Sequence, residues 1–135
     1  MKTIIVDDEI MAIKLVRNYL ERDKRVEIVG ECLDAGEALQ CVRERAVEAA
    51  FLDICIHGCM DGVELGKKLK ELNPQIVLIY TTGNAQYVDN AIDVEADFYL
   101  MKPLNAAELT FVVKKANELA LQRNKRIFAR TFGHF

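Results

Sequence analysis

Apolar and polar positions fall in blocks along this chain. Five short runs, KTIIV (2–6), VEIVG (26–30), AAFLD (49–53), QIVLIY (75–80) and DFYLM (97–101), are rich in Val, Ile, Phe and Tyr and mostly lack polar alternation. Runs of this kind suit strands covered on both faces, as in a parallel sheet. Between them the apolar spacing changes to threes and fours. Ile10, Ile13, Val16 and Leu20 form one stripe, which predicts a first helix with a single buried face. Further helices are predicted from about Ala35 to Arg45, from Gly62 to Leu72, where Asn73-Pro74 stops the chain, and from about Asn84 to Asp93. A fifth starts after Pro103: Asn105 stands three residues before Glu108 in a capping-box-like start, and Leu109, Val112, Val113, Ala116 and Leu119 supply its buried face.

Five strands alternating with five helices predict an α/β parallel sandwich. In such a sheet ligands bind beyond the carboxyl ends of the strands. Asp7 and Asp8 follow the first strand, Asp53 ends the third, Thr81 and Thr82 follow the fourth, and Lys102-Pro103 follow the fifth. Three carboxylates, a hydroxyl and an ammonium thereby meet on one rim. Carboxylates packed together repel each other, and a hard divalent cation with oxygen ligands, such as Mg2+, relieves them. That set suits phosphoryl transfer. A carboxylate can act as nucleophile to give an aspartyl phosphate, with the metal and Lys102 neutralising the transferred group and a threonine hydroxyl bonding to it.

Bulk properties narrow the reading. The 135 residues are the length of one ordinary domain. With 51% hydrophobic and 29% charged residues, the balance is that of a folded globular protein. A net charge of -3 leaves no basic footprint for nucleic acid. No apolar run approaches the roughly 18 residues of a membrane span, and MKTIIVDDE reaches acid before a signal-peptide core could form. The expected compartment is the cytoplasm, where Cys32, Cys41, Cys55 and Cys59 read as reduced thiols.

The segment DICIHGCMDG (53–62) offers Cys55, His57 and Cys59 as soft or borderline ligands. Zinc sites use C-x2-4-C spacing with a second pair further on. The C-x-H-x-C spacing lacks such a partner pair, and Cys32 and Cys41 fall on other predicted elements, so metal binding by these side chains is not expected. Asp8 has a structural alternative as the cap of the first helix, compatible with a metal role. Tyr99 reads equally as a half-buried strand aromatic.

Taken in order, IIVDDE, FLDI with DG a few residues on, YTTG and DFYLMKP resemble the receiver domain of two-component response regulators. The resemblance covers about residues 2 to 123 and rests on five separated sites. It implies a flavodoxin-like, doubly wound five-stranded parallel sheet of order 2-1-3-4-5 with five helices. It also implies that Asp53 is the phosphoacceptor, with Asp8 a direct Mg2+ ligand, Asp7 acting on the metal mostly through water, and the backbone carbonyl of Cys55 completing the protein ligands. Thr82 matches the switch hydroxyl, Tyr99 the aromatic whose rotation reports phosphorylation, and Lys102 the phosphate-binding lysine, whose bond to Pro103 is usually cis. Gly83 is the small residue that keeps phosphate access open.

The family mechanism so implied is a population shift: phosphate on Asp53 attracts Thr82 and Lys102, and Tyr99 turns into the space Thr82 leaves. The expected partners are a sensor histidine kinase and a second copy, through the fourth helix, fifth strand and fifth helix. No membrane contact is expected. Such a chain is not an enzyme toward outside substrates; it catalyses only its own phosphoryl transfer and dephosphorylation. A hydrolase would want a second acid near the nucleophile, and the residue two after Asp53 is Cys55. One departure stands out: His57 replaces the proline usual about four residues after the acceptor, and Asp61-Gly62 arrive one residue late. This keeps a second reading open, a pseudo-receiver that acts as a phosphorylation-independent interaction module.

Residues 124–135 read as a linker and the start of a further domain. Arg123, Lys125 and Arg126 form a basic cluster, and IFARTF looks like a strand with nothing following to pair with. RIFARTFGHF resembles the opening strand of the winged-helix output domain of some bacterial transcriptional activators. The expectation is a switch domain whose DNA-binding partner domain, and so any DNA contact and control of transcription, lies outside this chain.

Overall fold

Five parallel strands lie in the order β2-β1-β3-β4-β5: β1 (Lys2–Val6), β2 (Glu27–Cys32), β3 (Ala49–Asp53), β4 (Val77–Thr82) and β5 (Phe98–Met101). This is a computed structural model, and it describes residues 1–56, 61–83 and 96–132, with side chains as far as residue 125. Four helices occur among the described residues: α1 (Ile10–Leu20), α2 (Ala35–Glu44), α3 (Gly62–Leu72) and α4 (Ala106–Phe132). The predicted fourth helix (84–93) lies outside the described residues, so α4 is the fifth predicted one. The flavodoxin-like sheet order is the one expected.

Burial follows each strand's place in the sheet. Every residue of β3 and β4 is buried, because both faces of these central strands carry helices. One face packs Ile4, Val6, Ala50, Leu52, Leu78 and Tyr80 against α2 and α3 through Ala38, Leu65 and Leu69. The other packs Ile5, Phe51, Val77, Ile79 and Leu100 against α1 and α4 through Ile13, Val16, Leu109 and Val113. The apolar stripe of α1 starts one turn later than its spacing suggested: Ile13, Val16 and Leu20 are buried, but Ile10 is 54% exposed at the sheet rim.

The edge strand β2 departs from the expected pattern, being only half-buried and running past Gly30 to Cys32. Thr3 pairs with Ile28 while Ile4 pairs with Gly30, a register shift that leaves Val29 as an extra residue. The bulge places Gly30 and Cys32 opposite Ile4 and Val6, on the sheet face that α2 covers.

Helix starts obey local chemistry. The Asp34 and Asp61 carboxylates cap α2 and α3 by accepting the amides of Glu37 and Glu64, both at 2.8 Å. The Asn105 side chain accepts the Glu108 amide at 3.1 Å. At its far end α4 corrects the sequence reading: residues 127–132, expected as a strand, continue the helix. A lone strand has no neighbour for its backbone groups, whereas an established helix gains one bond per added residue, and no Gly or Pro intervenes before Gly133.

Candidate functional site

β1, β3 and β4 end level with one another, and their last residues build the site. Asp7 follows β1, its amide held by the Cys32 carbonyl at 3.0 Å, and is 4% exposed. Asp53 closes β3 and is 9% exposed. Asp7, Asp8 and Asp53 each offer a carboxylate oxygen, and these atoms lie within 4.8 Å of one another. Asp8 does not cap α1: the N-cap residue is Glu9, without a side-chain cap bond, and Asp7 Oδ1 accepts the Glu9 amide at 2.9 Å. One carboxylate of the pair thus shapes the turn into α1 while Asp8, half-buried, stands at the rim.

Lys102 ties these groups together. Its Nζ donates to Asp7 Oδ2 at 3.0 Å and lies 3.5 Å from Asp53 Oδ2. Burial alone would lower the ammonium pKa, but the Asp7 hydrogen bond and the Asp53 charge outweigh it, so Lys102 titrates above its ordinary value and stays charged. Burial pushes the Asp53 carboxyl up. The Cys55 amide, which donates to Asp53 Oδ1 at 3.1 Å, and Lys102 pull it down, while Asp7 pushes it up again, and the net direction is upward. The Lys102-Pro103 bond is cis, as the family resemblance implied.

Thr81 and Thr82 are the last two residues of β4 rather than residues after it. Thr81 pairs with Asp53 across β3, and its hydroxyl faces the Leu52 carbonyl at 3.5 Å. Thr82 is 2% exposed, and its carbonyl accepts the Lys102 amide at 2.8 Å, so hydroxyl and ammonium leave adjacent strands at one level. Tyr99 is half-buried on β5, stacked on Tyr80 with ring centroids 6.3 Å apart and planes at 18°. Among the described residues, nothing lies within 4 Å of a Cβ added at Gly83. Of the C-x-H-x-C ligands, Cys55 is described and places its amide on Asp53; His57 and Cys59 lie outside the described residues.

Sequence reasoning missed Tyr80. Its hydroxyl donates to the Gly62 carbonyl at 3.0 Å, and Gly62 in turn donates to Ile54, the residue after Asp53, at 2.9 Å. A Cβ on Gly62 would sit 2.1 Å from the Asp53 carbonyl oxygen. The DG pair after the acceptor is therefore a cap plus a close backbone approach, which fixes the return of the loop. The cue was an aromatic with a hydroxyl inside a strand covered on both faces, since such a group requires a buried acceptor.

The donor set is all hard oxygen with one ammonium, which fits a hard divalent cation. A family model, the response regulator receiver domain, matches residues 3–114. The chain belongs to this family. Receiver domains generally bind Mg2+ at such an acidic pocket, and Asp7, Asp8 and Asp53 form the corresponding cluster. The chain is 31% identical over 115 residues to the sensory transduction protein LytT of Bacillus cereus, an overlap of 85% of this chain and 46% of LytT. It is 30% identical over 115 residues to the transcriptional regulatory protein YpdB of Escherichia coli, covering 85% and 47%. The chain spans about half the length of the curated relatives it matches. Among solved receivers, the REC domain of AraT, a response regulator from Geobacillus stearothermophilus, superposes with a TM-score of 0.82 at 33% identity, covering 91% of this chain and 97% of that one.

Proposed function

We propose that this receiver is a phosphoacceptor switch: Asp53 takes a phosphoryl group from a histidine kinase in the presence of Mg2+. The observation that carries this reading is Asp53 itself, buried at the end of β3, with two carboxylates at ligand distance on one side and the Lys102 ammonium on the other. An Asp53 carboxylate oxygen forms the bond to phosphorus as the bond to the donor's imidazole nitrogen breaks, and the imidazole leaves with a proton. The Cys55 amide holds Oδ1, which fixes the rotation of the carboxylate and presents Oδ2 on the Lys102 side. Lys102 then exchanges an aspartate contact for a phosphoryl oxygen, at no cost in new charge.

Mg2+ would be held by Asp7, Asp8, Asp53 and the Cys55 carbonyl, and it supplies neutralisation of the transferred oxygens. Thr82, on the strand neighbouring Lys102, supplies a hydroxyl to the phosphoryl group, and Tyr99, resting on Tyr80, follows it. The surface that changes includes the predicted fourth helix, β5 and α4, and a second copy binds there. The half-length match to LytT and YpdB supports a further domain in the whole protein, and YpdB's designation as transcriptional supports control of transcription through it. No helix among the described residues is long and apolar enough to cross a membrane, in keeping with the cytoplasmic assignment.

The test is incubation with acetyl phosphate and Mg2+. A base-labile, acid-stable phosphate should appear on wild type and be absent from Asp53→Asn. No label on wild type would favour a phosphorylation-independent interaction module, and equal label on the variant would move the acceptor elsewhere. Light scattering with and without a phosphate mimic tests the second copy.

A further inference from the structure

Two cysteines that the phosphoryl chemistry does not use meet on the outer edge of the sheet. Because of the bulge in β2, Gly30 and Cys32 sit on the face covered by α2, where Cys41 is two turns along the helix. The missing Cβ of Gly30 leaves a space that both sulfurs enter: that Cβ would lie 2.7 Å from Cys41 Sγ and 3.9 Å from Cys32 Sγ. A cleft of about 570 Å3 opens over them.

We propose that Cys32 and Cys41 are a dithiol pair that closes to an intramolecular disulfide by exchange with a cationic low-molecular-weight disulfide. Three features of the site carry it. First, both sulfurs, beside an Ile4 methyl group, border the one space that the missing Cβ of Gly30 leaves. Second, the cleft gives a small reagent access to Cys41, which is half-buried, while Cys32 lies behind it at 3% exposure. Third, the walls are acidic. Glu31 also lines the cleft but is neutralised by Arg17 at 3.0 Å, leaving Glu37 and Glu44 against the single guanidinium of Arg45. A cation is drawn in and an anion is turned away.

The chemistry balances as two successive displacements. The Cys41 thiolate attacks one sulfur of the reagent, whose S–S bond breaks and releases one small thiol after protonation. Cys32 then gives up its proton and attacks Cys41 Sγ, expelling the second small thiol. Two electrons pass from the protein to the reagent, and one disulfide is exchanged for another. Cys32 lies behind Cys41 at 3% exposure, out of a reagent's reach, which agrees with its acting second. In a reducing compartment such a bond is transient, as redox-sensing disulfides are. The pair adjoins the acidic rim, because the Cys32 carbonyl holds the Asp7 amide.

The experiment uses the reduced, folded chain with cystamine as the cationic reagent and glutathione disulfide as the anionic one. Intact mass, thiol counting and peptide mapping follow the product. The expected result is loss of two hydrogen masses, a mapped link between Cys32 and Cys41, and reaction with cystamine about tenfold faster than with glutathione disulfide. Cys32→Ser should stop at a mixed disulfide on Cys41. Cys41→Ser should not react in the cleft, and Cys55→Ser/Cys59→Ser should still form the Cys32–Cys41 link. Circular dichroism establishes that each variant is folded. A stable mixed disulfide on wild-type Cys41, a link involving Cys55 or Cys59, or equal rates with the two reagents would each overturn the proposal.

Discussion

The Tyr80 hydroxyl donates to the Gly62 carbonyl at 3.0 Å, from the middle of a fully buried strand to the first residue of α3. Burial pushes the phenol pKa up, so the group stays a neutral donor. The ring fits because α3 presents Gly66 to it: a Cβ there would lie 2.0 Å from the hydroxyl oxygen and 3.1 Å from the neighbouring ring carbon. On its other side the ring stacks on Tyr99. One side chain therefore touches the helix that follows the acceptor loop and the aromatic assigned as the switch.

Removing only the hydroxyl separates these contacts. Tyr80→Phe keeps the ring and takes from the Gly62 carbonyl the hydroxyl bond it accepts besides its helical one, which should cost about 1 kcal/mol in urea unfolding. Gly66→Ala should cost about 3 kcal/mol in the Tyr80 background, since a methyl group would overlap the hydroxyl. Combined with Tyr80→Phe, Gly66→Ala should cost clearly less, because the oxygen it would strike is gone. Strict additivity of the two changes would mean that the hydroxyl is not what shapes this contact.

Asp53 carries a testable pH signature. Its folded-state pKa is raised, so between the ordinary carboxylate value and the raised one the native state binds more protons than the unfolded chain. Stability should therefore fall as pH rises through that window, and the cost of the charge is fully present above it. Asp53→Asn removes this cost: in chelator at neutral pH the variant should be more stable than wild type by about 1 kcal/mol and should lack the slope. Adding Mg2+ should stabilise wild type more than the variant, by mass action on the native state. Thermal unfolding across mildly acid to neutral pH checks both.

The parallel α/β sheet and the rim were legible because each rests on a local pattern, whereas the strand order came with the family resemblance. Central strands β3 and β4 are covered on both faces and read as unbroken apolar runs. Lys102-Pro103 and Asp7-Asp8 follow strands directly, so their positions needed only counting. What stayed hidden depends on pairing between distant segments. The bulge that puts Gly30 opposite Ile4 has no mark in VEIVG, whose glycine reads as a strand end. Tyr80 looks like any β-former until Gly66 is laid over it. Residues 127–132 have strand-like composition, and the helix already running through Arg123, with no strand partner among the described residues, decides for helix.

Arg123 shows the same dependence on distant partners. Its guanidinium meets Asp97 Oδ1 at 2.7 Å and Oδ2 at 3.3 Å, and also donates to the Ile76 carbonyl at 2.9 Å. Asp97 Oδ2 accepts the Leu78 amide at 2.9 Å, with Lys70 at 3.6 Å. This largely enclosed group joins α4 to the starts of β4 and β5. Arg123→Ala should cost about 3 kcal/mol, because it takes both guanidinium contacts from the largely enclosed Asp97 carboxylate and leaves Lys70, 3.6 Å away, as its cation among the described residues. Arg123→Lys should recover less than half of that, since an ammonium cannot span both carboxylate oxygens. Chemical denaturation measures both, and a loss below about 1 kcal/mol for the alanine variant would place the pair among ordinary surface contacts.

Two glycines flank the site with opposite demands, and their alanine variants should separate stability from phosphoryl access. At Gly62 an added Cβ would lie 2.1 Å from the Asp53 carbonyl oxygen and 2.7 Å from Ile54 backbone atoms, so β3 and α3 would have to move apart. Gly62→Ala should lose about 3 kcal/mol or more, and with it the alignment of Asp53 to Asp7 and Asp8. At Gly83 nothing among the described residues lies within 4 Å of an added Cβ, so Gly83→Ala should change stability by less than about 0.5 kcal/mol. Yet Gly83 directly follows Thr82 on the strand bearing the switch hydroxyl, where a methyl group would narrow the approach to Asp53. The expected outcome is normal unfolding with labelling by acetyl phosphate slowed about threefold to tenfold, a rate effect of about 1 kcal/mol. Unchanged labelling would mean that the open space at Gly83 is not on the path of the phosphodonor.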